Sequence, residues 1–151
     1  MAAGLRKFVL DTNCFIDASR TDAGADAFAE FCARDAPRLY LSTVVAAELR
    51  AGARNATERR ILDRRVLSPY ARRRRLVNPS AAAWDALGTT LGRLVEDEGL
   101  VLADVRKSFI FDVLLAWSCR EIGAVLVSGN VKDLSRIARM FTFEFVAPYP
   151  R

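Results

Sequence analysis

The stretch Ser108-Phe-Ile-Phe-Asp112-Val-Leu-Leu-Ala-Trp-Ser-Cys-Arg-Glu-Ile122-Gly123-Ala124-Val-Leu-Val127-Ser128-Gly-Asn130 decides how this chain folds. Residues 108–122 are almost wholly apolar and too long for one strand, which predicts a helix buried from several sides. Gly123 ends it, and Ala124-Val125-Leu126-Val127 reads as a strand covered on both faces. A further short helix is expected over residues 131–139. A buried helix running straight into a buried strand is the repeating unit of a parallel sheet.

Working outward, the same alternation recurs. Lys7-Phe8-Val9-Leu10 predicts a strand ending at Asp11. Residues 12–19 and 23–34 read as helical, the second through Phe28, Phe31 and Cys32, and Pro37 breaks the pattern. Leu39-Tyr40-Leu41 is a short strand, and Ser42-Thr43 offers a cap for a helix over 44–51 that Gly52 stops. Thr57 is expected to cap a helix over 58–67, Pro69 to interrupt it, and Leu76-Val77 to form a brief strand before Pro79. Ser80 opens a long helix with Trp84, Leu87, Leu91, Leu94 and Val95 on one stripe. Phe141, Phe143 and Phe145 alternate with Thr142, Glu144 and Val146, which predicts a final strand with its phenylalanine face covered. The expectation is a single domain over 1–151, an α/β sandwich around a mainly parallel sheet.

Composition removes several function classes. The chain has 151 residues, 52% of them hydrophobic, enough for one packed core. It has no apolar run of about 18 residues, and its opening residues lack a signal-like apolar stretch, so a cytoplasmic location without membrane contact is expected. Cys14, Cys32 and Cys119 are odd in number and lack C-x-x-C spacing, which fits neither a disulfide framework nor a zinc site. The absence of histidine excludes Ser-His-Asp and Cys-His catalysis and any His-containing zinc centre. The net charge of +5 is unevenly spread: residues 50–75 hold ten arginines against two acids, Glu58 and Asp63. Such a stretch suits a polyanion, an acidic surface or, more plainly, a solvated helical face.

Three acids stand in places that need explaining. Asp11 follows the first strand directly, where α/β sheets gather ligands. Asp112 is the one charge among Phe109–Trp117, and Glu48 shares a helical face with Val44 and Val45. A buried carboxylate is normally neutralised, paired or bound to a cation. Asp11 as a helix cap, Glu48 paired with an arginine and Asp112 in a buried ion pair are the plainer alternatives. A fourth group lies past the strand 124–127, where Asn130 and Asp133 sit at a strand-to-helix corner; Asn130 as a cap is the alternative there. Thr12, Asn13 and Ser128 are polar groups placed to support the acids. Oxygen ligands without histidine favour Mg²⁺ or Mn²⁺, and carboxylates beside an arginine-rich surface amount to a nuclease site.

In order and spacing, FVLDTNCFID, STVVAAELRAG and FDVLLAWSCREIGAVLVSGNVKDL resemble the PIN-domain ribonucleases, most of all the VapC-type toxins of bacterial toxin–antitoxin pairs. The similarity runs from Phe8 to about Phe145. It implies a three-layer α/β/α fold, Mg²⁺- or Mn²⁺-dependent endonucleolytic cleavage of RNA, homodimerisation, and inhibition by a cognate antitoxin that inserts a segment into the cleft. Carried over by position, Asp11, Glu48 and Asp112 would bind metal. The family's fourth acid falls on Asn130, with Asp133 three residues on either as a substitute ligand or only as a support of the loop, and Ser128 stands where the family has Thr or Ser. Residues 59–75 are read as part of the RNA-gripping surface. The alternative is a PIN-fold module with impaired catalysis that only binds RNA or protein, motivated by the non-acidic Asn130. A haloacid-dehalogenase-type phosphatase would need an acid where Asn13 stands. A phospho-receiver would need a late-strand lysine, for which Lys132 is the nearest candidate. A P-loop enzyme would need G-x-x-x-x-G-K-[ST], which is missing.

Overall fold

A computed structural model describes residues 5–151. The first strand, β1 (Lys7–Leu10), is followed by α1 (Thr12–Ala18) and α2 (Asp22–Asp35), then β2 (Leu39–Ser42) and α3 (Thr43–Gly52). Next come α4 (Ala56–Leu62), a π-helical turn (Asp63–Leu67), α5 (Ser68–Arg72) and β3 (Leu76–Val77). The second half runs α6 (Ala81–Glu98), α7 (Lys107–Glu121), β4 (Ala124–Val127), α8 (Val131–Ala138) and β5 (Glu144–Val146).

The strands form one parallel sheet in the order β3-β2-β1-β4-β5. Period-two alternation sends successive side chains to opposite faces, which divides the core in two. Val9, Ala124 and Leu126, with Tyr40 beside Val9, face a layer that includes α3, α6, α7 and α8. Phe8, Leu10, Leu39, Val125 and Val127 face the other way, onto Cys14 of α1, Phe31 of α2 and Tyr149. The result is the expected α/β/α sandwich. In α7, Phe109, Asp112, Val113, Leu114, Leu115, Ala116, Ser118 and Cys119 are all buried, so this helix is covered on several sides as its composition requires. Gly123, at φ +65°, supplies the left-handed residue that lets α7 stop and β4 begin.

Local expectations fail at four places. The cap of α4 is Asn55, whose side chain accepts from the Glu58 amide, and not Thr57; the helix then widens into the π-helical turn and does not remain α-helical to Leu67. Pro69 does not break the run, because it lies in the first turn of α5, where its missing N–H is not needed. The stripe of α6 is Ala83, Leu87, Thr90 and Leu94, while Trp84 and Val95 are 55% and 38% exposed. Thr90 is tolerated in that stripe because its hydroxyl accepts from Trp117 Nε1 at 2.9 Å. The last strand covers only Glu144–Val146, which pair with Val125–Val127 of β4. Phe141 instead stacks on Trp117 at 3.9 Å, and the chain of rings continues through Phe143 to Phe145.

Candidate active site

After β1 the chain runs out to β2 and β3, then returns to place β4 on the opposite side of β1. The carboxyl ends of β1 and β4 therefore flank the topological switch point, the ligand crevice of an open α/β sheet. Asp11 follows β1 and Ser128 follows β4, and the Asp11 amide donates to the Val127 carbonyl at 2.9 Å.

Asp11 does cap α1, but capping is only part of its role. One oxygen accepts from the Thr12 amide at 2.7 Å; the other accepts from Ser128 Oγ at 2.7 Å and Asn13 Nδ2 at 3.0 Å. These donors favour the carboxylate, yet burial outweighs them and raises its pKa. Ser128, fully buried, also accepts from Asn13 Nδ2 and from the Asn130 amide, each at 3.0 Å. The Gly129 amide donates to Asn13 Oδ1 at 3.0 Å, so Asn13 clasps the loop after β4 to the start of α1.

Glu48 reaches the crevice from α3, whose start is set by the Ser42 side chain accepting from the Val44 amide. Its Oε1 accepts from Thr12 Oγ1 at 2.9 Å, and burial together with the charge of Asp11 raises its pKa. Asp112 is buried in α7 and accepts from Asn130 Nδ2 at 2.7 Å. Its pKa is pushed up to about 7, chiefly by desolvation and then by the charge of Asp11, with Asp133 and Glu48 adding to the effect. Among the described residues, no lysine or arginine forms an ion pair with Asp11, Glu48 or Asp112. Among the described residues, Glu48 has no arginine partner and Asp112 no buried ion pair.

Asn130 occupies the cap position of α8 but makes no side-chain cap bond. Its amide instead bridges Asp112 and Asp133, reaching Asp133 Oδ2 at 3.0 Å. Asp133 is also held by Arg106 Nη2 at 2.9 Å, a contact that nothing in the spacing of residues 106 and 133 signals. Asp133 is thus linked to the cluster through Asn130 and through its charge on Asp112, which also feels Asp11 and Glu48; Glu48 in turn feels Asp11.

Among the described residues, no three acidic or thiol side chains already stand in a metal-holding arrangement. Each carboxylate is turned toward a hydroxyl or amide donor. The donor chemistry nevertheless fits a hard divalent cation: oxygens only, mutual repulsion, and no protein cation to relieve it.

The PIN domain profile matches residues 8–140. This chain belongs to the PIN domain family. PIN domains are generally nucleases. Comparison with curated proteins gives no match. Among solved structures, this PIN domain is similar to DNA-bound VapBC from Salmonella typhimurium, with TM-score 0.70 and 20% identity, covering 96% of this chain and 100% of that one. VapBC2 from Rickettsia felis, bound to a promoter DNA fragment, gives 0.66 at 22% identity over 93% and 97% of the two chains. FitAcB from Neisseria gonorrhoeae gives 0.66 at 16% identity over the same shares. At such identities the likeness is one of fold.

Proposed function

We propose that this PIN domain is a Mg²⁺- or Mn²⁺-dependent endoribonuclease, the toxin of a toxin–antitoxin pair, acting in the cytoplasm as a homodimer and restrained by a cognate antitoxin. The observation that carries the nuclease reading is the meeting of Asp11, Glu48 and Asp112 at the switch point without a protein cation. The toxin reading is supported by the similarity to VapBC complexes. No described helix is long and apolar enough to cross a membrane.

In this reading Asp11, Glu48 and Asp112 hold the ion, and Asp133 completes the acidic rim. A divalent ion supplies Lewis acidity that lowers the cost of negative charge on the scissile phosphate and on an attacking water. Ser128 and Asn13 orient Asp11, Thr12 orients Glu48, and Asn130 orients Asp112 against Asp133. Exposed arginines of residues 59–75 grip the RNA backbone and contribute affinity without sequence information.

The test is cleavage of single-stranded RNA with Mg²⁺ or Mn²⁺, with chelator, and by Asp112→Asn. Metal-dependent scission lost in both controls is expected. The placement of Asn130 at the family's fourth acidic position favours a second reading, a catalytically impaired module. RNA binding without any metal-dependent scission would establish that module and overturn the enzyme.

A further inference from the structure

Of the ten arginines between residues 50 and 75, two are paired among the described residues: Arg50 with Asp63 and Arg54 with Glu58. Those pairs use both acids of the segment. Arg65 and Arg73 are exposed and border a cavity of about 210 Å³ whose walls include Phe15, Phe28 and Tyr70. Arg75 also borders it, but donates to the Ala36 carbonyl at 2.5 Å and lies over the Tyr40 ring. The cavity is smaller than the roughly 300–1,000 Å³ clefts that hold drug-sized ligands, and suits one planar ring system.

Two features say what that ring belongs to. The lining is largely apolar and aromatic, with Phe15 and Phe28 edge-to-face at 5.3 Å, while the rim carries cations without carboxylate partners. An apolar slot with a cationic rim is the combination that takes a flat base and its phosphates. Phe15 also lines a second trough, about 300 Å³, together with Thr12 and Glu48. Phe15 is thus a wall shared by the hollow beside the carboxylates and the cavity.

We infer that this cavity is a nucleobase subsite: an unpaired nucleotide flanking the cleaved bond inserts its base against Phe15, Phe28 and Tyr70, with its phosphates on Arg65 and Arg73. This rests on the ribonuclease reading. An acidic protein segment with one aromatic side chain is the rival occupant. The repeated exposed arginines at 59, 60, 64, 72 and 74 favour a chain with a charge at every unit.

The binding titration uses the unaltered protein. Fluorescent single-stranded RNA is titrated in chelator, with each base in turn replaced by an abasic nucleotide. Because base–aromatic stacking is worth ~1–3 kcal/mol per base, one position should lose affinity roughly tenfold or more while its neighbours lose little. Cys32 borders the same cavity and is half-buried, whereas Cys14 and Cys119 are buried. RNA should slow alkylation of Cys32, identified by its loss in Cys32→Ser, and the abasic RNA at the sensitive position should not. Uniform tolerance of abasic nucleotides, or unchanged Cys32 reactivity, overturns the subsite even if cleavage stands. Protection of Cys32 by an acidic aromatic peptide but not by RNA assigns the cavity to a protein and overturns it equally. The separate metal-dependent cleavage assay decides the ribonuclease reading.

Discussion

Asp112 carries the one carboxylate between Phe109 and Trp117 of α7, a span otherwise apolar, and its environment opposes ionisation. Its folded pKa of about 7 lies above the ordinary 3.8, so the native chain retains a proton that the unfolded chain has released. Its contribution to stability is therefore full below about pH 4 and is lost as pH rises through about 7. Urea unfolding in chelator should show wild type weakening relative to Asp112→Asn across that window, with the variant ahead by roughly 1–3 kcal/mol at neutral pH. A constant difference between them would refute this. Glu48→Gln keeps shape while removing charge, so RNA cleavage should fall far more than the unfolding midpoint. Ser128→Ala removes a donor that fixes Asp11, and calorimetric Mg²⁺ or Mn²⁺ affinity should drop ~10–100-fold.

At the scale of elements, caps and stripes decide where helices start and which face they bury. Asn55→Ala should cost about 1 kcal/mol in chemical denaturation, and Thr57→Ala clearly less, because only Asn55 satisfies the Glu58 amide. Leu94 is fully buried on α6, so Leu94→Ala should cost ~2–5 kcal/mol. Trp84→Ala on the outward face should cost only ~0.5 kcal/mol. Helix and strand order could be read from the sequence because burial imposes periodicity. Hydrophobicity alone puts Trp84 on the core stripe, because it does not distinguish a core face from an exposed aromatic. Asn55 and Thr57 are both capping residues, and backbone geometry chose between them.

For the whole molecule, the parallel sheet turns separate stretches of chain into one crevice, while the segment from α4 to the turn after α5 carries the arginines that lack carboxylate partners. RNA affinity should depend steeply on salt, and neutralising Arg72, Arg73 and Arg74 with Gln should reduce the log–log slope by about 2. An unchanged slope would show that these arginines do not meet phosphates.

Residue types alone determined that histidine chemistry is absent, that strands and helices alternate, and that Asp11, Glu48 and Asp112 sit where charge is costly. Those features follow from composition and local period, which need no knowledge of distant neighbours. Only the tertiary structure decided that these acids lack cationic partners among the described residues, that Asn130 links Asp112 to Asp133, and that Arg106 holds Asp133. Electrostatic coupling depends on distance in space, and strand order, not sequence separation, sets that distance.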